Sequence, residues 1–225
     1  MTEFMNGFQK LIDIISNAFS ILDFSYIVSG GLAFLLILFG LYMHDISFMM
    51  ENITITIVCG IFLSYVCGLF AWLIGRYLRR KTYRRFYGET IEESFQKVYN
   101  ETIYSLTSFP SGLGLAKAKD ASLSYEYMWI CLDKNKDAVS RVNYIHRFWV
   151  MQAVFEGLIT VLLMAVVVLW LVIPADPSCM LIIGMVVLTL VFFSLARFCC
   201  NEAKRCAETQ IREVILSYYK YVIIK

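Results

Sequence analysis

Four long apolar stretches dominate the pattern of hydrophobic and polar positions along this chain. Runs without a charged residue cover positions 24–43, 52–75, 157–175 and 177–196, and they contain 20, 24, 19 and 20 residues. Because a helix rises about 1.5 Å per residue and the hydrocarbon layer is roughly 30 Å thick, each run is long enough to cross a bilayer. The pattern predicts an all-α polytopic membrane protein with four transmembrane helices in two hairpins.

Helical spacing continues in the polar sequence between the second and third runs. Apolar and weakly polar residues recur there at intervals of three and four, at Ile91, Phe95, Val98, Tyr99, Thr102 and Leu106. Proline and glycine within residues 109–114 predict a turn. A further helix is predicted from near Leu115 through Val139 and Ile145 into the third run, and the fourth run is predicted to continue to Tyr218. We therefore expect helical extensions into the cytoplasm.

Residues 1–23 place apolar side chains on one helical face and polar side chains on the other. This suits an amphipathic helix on the inner membrane surface or one packed against the cytoplasmic helices. A cleavable leader needs a basic start and a continuous apolar core, and this segment has neither. The predicted layout is an interfacial helix at 1–23, a transmembrane hairpin at 24–75, a cytoplasmic helical insertion at 76–147, a second hairpin at 148–196 and a cytoplasmic C-terminal helix at 197–225.

The lysines and arginines predict the orientation. Of the 20, one precedes the first run, 13 lie between the second and third runs and six follow the fourth, so the two remaining loops have none. Short loops rich in Lys and Arg stay in the cytoplasm. We expect both termini in the cytoplasm, very little chain outside, and signals that arrive from the cytosol or the bilayer.

Residue types needed for catalysis or metal binding are scarce. The only histidines are His44 and His146, and the seven cysteines follow no zinc-binding spacing. A phosphate-binding glycine loop with lysine is missing as well. We expect no enzyme activity, no catalytic residues, no metal and no cofactor.

The second run carries a stripe of small residues. Thr56, Gly60, Ser64 and Gly68 repeat every four positions. Small side chains let membrane helices approach closely, so this stripe predicts a helix contact, either within one chain or between chains.

Gln152 and Glu156 lie at the cytoplasmic end of the third run. The 19 apolar residues after Glu156 already span the bilayer, which leaves its carboxylate at the membrane interface. Alternatively, both residues form a ring at the mouth of an oligomeric pore, where acidic groups favour cations.

A basic and aromatic run covers residues 76–87. One interpretation of this run is an orientation signal that also attracts anionic lipid. The alternative is capture of a phosphorylated cytosolic ligand, since cations along the phosphates and aromatic rings on the bases are the combination that binds single-stranded nucleic acid. The candidate ligand-binding residues in this run are Arg79, Arg80, Tyr83, Arg84 and Arg85.

Four spans are too few to enclose an aqueous path within one chain, so conduction requires a symmetric oligomer. With few fixed charges in the spans, a pore gated by an apolar constriction fits better than a proton-coupled transporter. The alternatives are a non-conducting membrane scaffold or sensor that recruits a cytosolic protein, and a small transporter.

Four short segments carry a resemblance to known proteins: residues 23–31 (DFSYIVSGG), 64–68 (SYVCG), 141–148 (RVNYIHRF) and 203–205 (AKR). With them the chain resembles small four-helix bacterial membrane proteins of anti-phage defence operons, namely the HalA effectors of Hailong systems and, as second choice, the KwaA proteins of Kiwa systems. The HalA resemblance implies a homotetrameric inner-membrane ion channel, held shut by a DNA oligomer from a partner nucleotidyltransferase and opened during infection to depolarise the cell. Arg79, Arg80, Arg84 and Arg85 would contact that oligomer. The KwaA resemblance implies the scaffold.

Overall fold

The computed structural model describes residues 21–43, 53–106, 118–174 and 176–224, and no strand occurs among them. The six α-helices, numbered in chain order, are α1 (Ile21–Met43), α2 (Ile53–Tyr87), α3 (Ile91–Tyr104), α4 (Ala118–Asp133), α5 (Val139–Leu171) and α6 (Cys179–Tyr218). A 3₁₀ turn at Lys136–Ala138 precedes α5, and a π-helical turn at Tyr219–Ile223 follows α6.

Four helical segments are long and apolar enough to cross a membrane: Ser25–Met43, Ile57–Tyr87, Lys136–Leu171 and Cys179–Ile223. The chain is therefore an all-α polytopic membrane protein, and the prediction from the charge-free runs is confirmed. The predicted interfacial helix lies outside the described residues except for its last three positions, which belong to α1. The predicted turn at 109–114 lies outside them as well.

The chain divides into two compact units. The first, here the spanning unit, comprises Met1–Gly75 and Glu156–Arg197; the second, here the polar unit, comprises Arg76–Phe155 and Phe198–Lys225. The division falls inside α2, α5 and α6, each of which contributes residues to both units. The predicted continuation of the fourth span to Tyr218 is confirmed by α6, and α2 also continues past the second span to Tyr87.

The prediction of one continuous helix from near Leu115 into the third span is wrong. Helix α4 ends at Asp133, and the chain turns at Asn135 before the 3₁₀ turn and α5. The Asn135 side chain accepts a hydrogen bond from the Asp137 amide at 3.0 Å and donates one to the Tyr221 carbonyl at 3.1 Å. Since asparagine competes for backbone groups in this way, it favours caps and turns over helix interiors.

Helices α1, α2 and α5 pack closely in the spanning unit. A Cβ atom at Gly30 would overlap the Ser64 carbonyl, and one at Gly68 would overlap the Tyr26 carbonyl. Thr160 of α5 donates a hydrogen bond to the Ala71 carbonyl of α2 at 2.7 Å. Close backbone approach and interhelical hydrogen bonds of this kind hold helices together where lipid gives no hydrophobic drive. Many large apolar side chains of the unit remain exposed, as a lipid-facing surface requires.

The polar unit has its own apolar core, formed by α3, α4, α5 and α6. Five of its large side chains are almost fully enclosed: Tyr99, Met128, Leu132, Ile145 and Ile215. The helical spacing read from residues 91–106 is confirmed, since Val98, Tyr99 and Ile103 of α3 point into this core. This core holds α3, α4, α5 and α6 together, and other faces of the same helices line a cavity.

Candidate ligand-binding cavity

A cavity of about 1010 Å³ lies within the polar unit, between α2, α3, α4, α5 and α6. Ordinary small-molecule pockets measure about 300–1,000 Å³, so this one is large enough for a nucleotide-sized ligand. Its wall combines basic, aromatic and acidic side chains from segments far apart in the sequence.

Four basic side chains line the cavity: Arg76, Arg79 and Arg80 of α2 and Lys204 of α6. The arginines share a helical face because they lie three and four residues apart. Arg79 is only 6% exposed, whereas Arg80 is exposed. A guanidinium offers five donors in a rigid fork and remains charged, which suits recognition of phosphate oxygens.

The short connection from α2 to α3 holds Lys204 in place. Gly88 has a φ of 72° and so permits the turn, and Thr90 caps α3 in a reciprocal arrangement with Glu93. Between them, Glu89 accepts a hydrogen bond from the Lys204 ammonium at 2.9 Å. This hydrogen bond lowers the pKa of Glu89. Lys204 also lies 3.7 Å from the carboxylate of Glu208.

Tyr83 lines the cavity but its ring is enclosed. It is 3% exposed, and its hydroxyl donates a hydrogen bond to Ser94 at 3.0 Å. The Lys204 ammonium lies 5.4 Å from its ring centroid and 4.3 Å from that of Tyr87. The ring therefore supports a basic side chain through a cation–π contact instead of offering an open face to a base.

An aromatic wall supplies the open ring surface. Trp129 of α4 and Trp149 of α5 stack with centroids 6.2 Å apart and planes at 22°, and His146 lies 5.3 Å from Trp129. Trp149 is 45% exposed. Phe95 packs edge-on against Tyr125 at 5.5 Å, and burial raises the pKa of Tyr125 to about 12. The Tyr125 hydroxyl consequently stays protonated at physiological pH.

Four carboxylates complete the lining: Glu92, Glu126, Asp133 and Glu208. Two of them come from one face of α4, which lines the cavity along its length with Ser122, Tyr125, Glu126, Trp129, Ile130 and Asp133. These six positions follow helical spacing. The opposite side of α4 contributes Ala121, Met128 and Leu132 to the apolar core.

The structure separates the basic residues that the sequence grouped together. Arg79, Arg80 and Tyr83 line the cavity, while Arg84 and Arg85 are exposed and are not among its lining residues. Gln152 joins the first three in the lining. Arg76 was part of the same basic run, and its place in the cavity follows from the helical spacing of 76, 79, 80 and 83.

Glu156 lies in the spanning unit and is 1% exposed. Its backbone carbonyl occupies the space that a Cβ at Gly75 would need, and a Cβ at the next residue, Gly157, would come within 2.6 Å of Ser29. Glu156 is thus enclosed by its own chain at a point where α1, α2 and α5 meet. The surface of a single chain does not offer this carboxylate to a pore.

The stripe of small residues on α2 contacts α1 of the same chain. Ser64 and Gly68 lie against Gly30 and Tyr26, and a Cβ at Gly60 would lie 3.9 Å from the Phe34 ring. Thr56 belongs to α2, but its side chain lies outside the described part of the structure.

Sequence reasoning missed most of the cavity wall. It did not assign Lys204, Trp129, Trp149 or the α4 carboxylates to a site, and it named His146 only as one of the two histidines. The spacing of Glu126, Trp129 and Asp133 at three and four residues was a readable signal for a shared face. No local pattern shows that this face lines one cavity together with residues of α2 and α6.

No protein-family model, no curated protein and no solved structure matches this chain.

Proposed function

We propose that this protein is an oligomeric effector of the bacterial inner membrane, in which the polar unit binds a nucleotide or DNA oligomer in the cytosol and the spanning unit forms an ion channel gated by that ligand. Anti-phage defence by membrane depolarisation is the role that the resemblance implies. The observation that carries the proposal is the cavity, which combines three arginines, a lysine and an accessible indole ring.

The cavity supports binding of a phosphorylated aromatic ligand. Arginine donates paired hydrogen bonds to phosphate oxygens, and a flat indole surface stacks on any base. A space of about 1010 Å³ is far larger than the small voids of ordinary packed interiors, and Arg79, Arg80 and Trp149 line it. Nucleotides satisfy both parts of the wall at once.

Continuity of the helices supports gating. Helices α2, α5 and α6 line the cavity and also run through the spanning unit. A ligand that binds one arrangement of these helices more tightly than another shifts the equilibrium between the two. Because the same helices form the spans, a change in their arrangement at the cavity reaches the spans without a separate linker.

Oligomerisation follows from the number of spans. A single chain with four membrane helices leaves no room for a water-filled path, so the channel needs repeated copies around an axis. The resemblance implies four copies and a partner nucleotidyltransferase that supplies the ligand. Mass photometry of the purified protein in detergent measures the copy number.

The binding experiment uses the full chain in nanodiscs with a short fluorescent DNA oligomer and with nucleoside monophosphates. We expect the pair Arg76→Gln and Arg80→Gln to weaken binding on the order of tenfold or more, since each removes hydrogen bonds between charged groups. The matched control is the pair Arg84→Gln and Arg85→Gln, which removes the same charge from outside the cavity. Equal loss in both pairs would indicate general electrostatic attraction and overturn the assignment of the cavity.

Ion flux from liposomes tests the channel. We expect flux that changes when the ligand is added and that no longer responds in the Arg76→Gln and Arg80→Gln variant. Ligand binding without any flux would support the non-conducting scaffold, in which the polar unit recruits a cytosolic protein. Flux that ignores the ligand would separate conduction from this cavity and contradict gating.

A further inference from the structure

The charges around the cavity suggest a ligand that is more than a phosphate. Four basic groups are matched by four carboxylates, those of Glu92, Glu126, Asp133 and Glu208. A ligand that carried only anionic groups would gain from the first set and be repelled by the second. A ligand with phosphate at one end and hydrogen-bond donors at the other would satisfy both.

Of the four carboxylates, those of Glu92, Glu126 and Asp133 are exposed, and that of Glu208 is partly buried. Glu208 lies beside Lys204, and Glu92 occupies the first turn of α3, where the helix dipole stabilises a negative charge. Glu126 and Asp133 are exposed, and neither enters an ion pair in the described part of the chain.

These two carboxylates flank the aromatic stack. Glu126 lies three residues before Trp129 and Asp133 four residues after it, so all three share the cavity face of α4. Trp129 in turn stacks on Trp149, which is 45% exposed. A base bound against the cavity face of α4 would meet these carboxylates, and the basic side chains of α2 and α6 would be available to its phosphate.

We infer that the cavity selects a nucleotide whose base carries an amino group, guanine above the others, and that Glu126 and Asp133 recognise that base edge. This inference rests on the proposed function, because it names the ligand class of the same cavity. An ionised carboxylate only accepts hydrogen bonds. Guanine presents an N1–H and an amino group side by side, which matches the two oxygens of one carboxylate.

The other bases match less well. Adenine and cytosine each offer one amino group with a ring acceptor beside it. Uracil and thymine offer one N–H between two carbonyl oxygens, and those oxygens repel a carboxylate. The expected order of affinity is therefore guanine first, adenine and cytosine next, and uracil or thymine last.

The test measures quenching of tryptophan fluorescence in the full chain by GMP, AMP, CMP and UMP, with calorimetry as a second readout. We expect GMP to bind at least about tenfold more tightly than UMP, the discrimination that one well-placed bidentate pair provides. In the double variant Glu126→Gln and Asp133→Asn we expect that ratio to fall below about threefold, because GMP loses its bidentate partner and UMP loses a repulsive one. Both side chains are exposed, so the thermal midpoint should not change.

Glu101→Gln is the control, since Glu101 is exposed on α3 and does not line the cavity. Its GMP preference should equal that of the native chain. The dinucleotides GpG and UpU repeat the comparison: tighter binding of GpG than of GMP assigns the end of an oligomer as the source, and equal binding assigns a free nucleotide.

Failure of this inference and failure of the proposed function give different results. If no nucleotide or oligomer binds, the proposed function is overturned. If nucleotides bind through Arg76 and Arg80 but GMP and UMP bind equally, or the double variant keeps its preference, only the base selectivity is overturned.

Discussion

Gly30 lies where the backbones of α1 and α2 touch, and its neighbour Gly31 does not. A Cβ at position 30 would overlap the Ser64 carbonyl, whereas one at position 31 would meet nothing within 4 Å. The two residues have the same chemistry and adjacent positions in one helix. Substitutions at these two positions therefore distinguish the effect of helix packing from the effect of glycine on helix propensity.

We expect Gly30→Ala to destabilise the protein by about 1–3 kcal/mol, because the added methyl group forces two backbones apart. Gly31→Ala should leave stability unchanged or raise it slightly, since alanine favours the helix by about 1 kcal/mol over glycine. The measurement is the thermal midpoint of the detergent-solubilised chain by fluorescence-detected size exclusion. Similar midpoints for the two variants would contradict the tight α1–α2 contact.

The ion pair between Glu89 and Lys204 should make the stability of the fold depend on pH. Its hydrogen bond with Lys204 lowers its pKa in the folded chain below the ordinary value of 4.5. A lowered pKa means that the stabilisation is present above about pH 4.5 and is lost as the pH falls through the folded pKa.

Glu89→Gln should therefore reduce the thermal midpoint at pH 7 and reduce it less at pH 3, because more of the native Glu89 carboxylate is protonated at the lower pH. Glu101→Gln, on the exposed side of α3, serves as the control and should show no such pH-dependent difference. A Glu89→Gln effect of the same size at both pH values would show that the ion pair is not its cause.

At the scale of elements, the break between α4 and α5 depends on Asn135. Its side chain caps the 3₁₀ turn through Asp137 and ties that turn to the Tyr221 carbonyl after α6. Without it, apolar spacing favours a single helix, as the sequence pattern predicted. The Asn135 side chain thus stabilises the turn that separates α4 from α5.

Asn135→Ala should destabilise the protein by about 1–2 kcal/mol through loss of the cap. Ligand affinity should fall as well if α4 loses its orientation. Asn143→Ala is the matched control, because Asn143 is exposed on α5. Thermal midpoints and GMP binding of the two variants give the comparison, and an Asn135→Ala chain equal to the control in both would contradict this role.

At the scale of the whole molecule, the basic residues are concentrated in one unit. The ranges of the polar unit contain 18 of the 20, and the two exceptions are Lys10 and Arg197. The proposed orientation puts all of them on the cytoplasmic side, because translocation of Lys and Arg across the bilayer is disfavoured. Exposed Lys97 of α3 and exposed Cys179 at the start of α6 lie on opposite sides of the membrane in that orientation.

Intact cells treated with membrane-impermeant reagents test this. We expect the maleimide to modify Cys179 and the amine reagent to leave Lys97 unmodified until the cells are permeabilised, with mass spectrometry as the readout. Modification of Lys97 in intact cells would contradict the proposed orientation. It would also contradict a cytosolic source of the ligand.

The fold class and the four spans follow from the amino-acid sequence alone. Length and lack of charge decide whether a segment crosses a bilayer, and both are local properties of residues 24–43, 52–75, 157–175 and 177–196. The helix at Ile91–Tyr104 was equally readable, since its apolar spacing is local as well.

Which residues share a site depends on how the helices pack together. Arg80, Trp129 and Lys204 lie on three helices, and their convergence depends on how five helices pack around one cavity. The same packing excluded Arg84 and Arg85 from the lining and enclosed Glu156 within its own chain. Burial and proximity of residues distant in sequence arise from the sum of many weak contacts across helices, and no single segment encodes that sum.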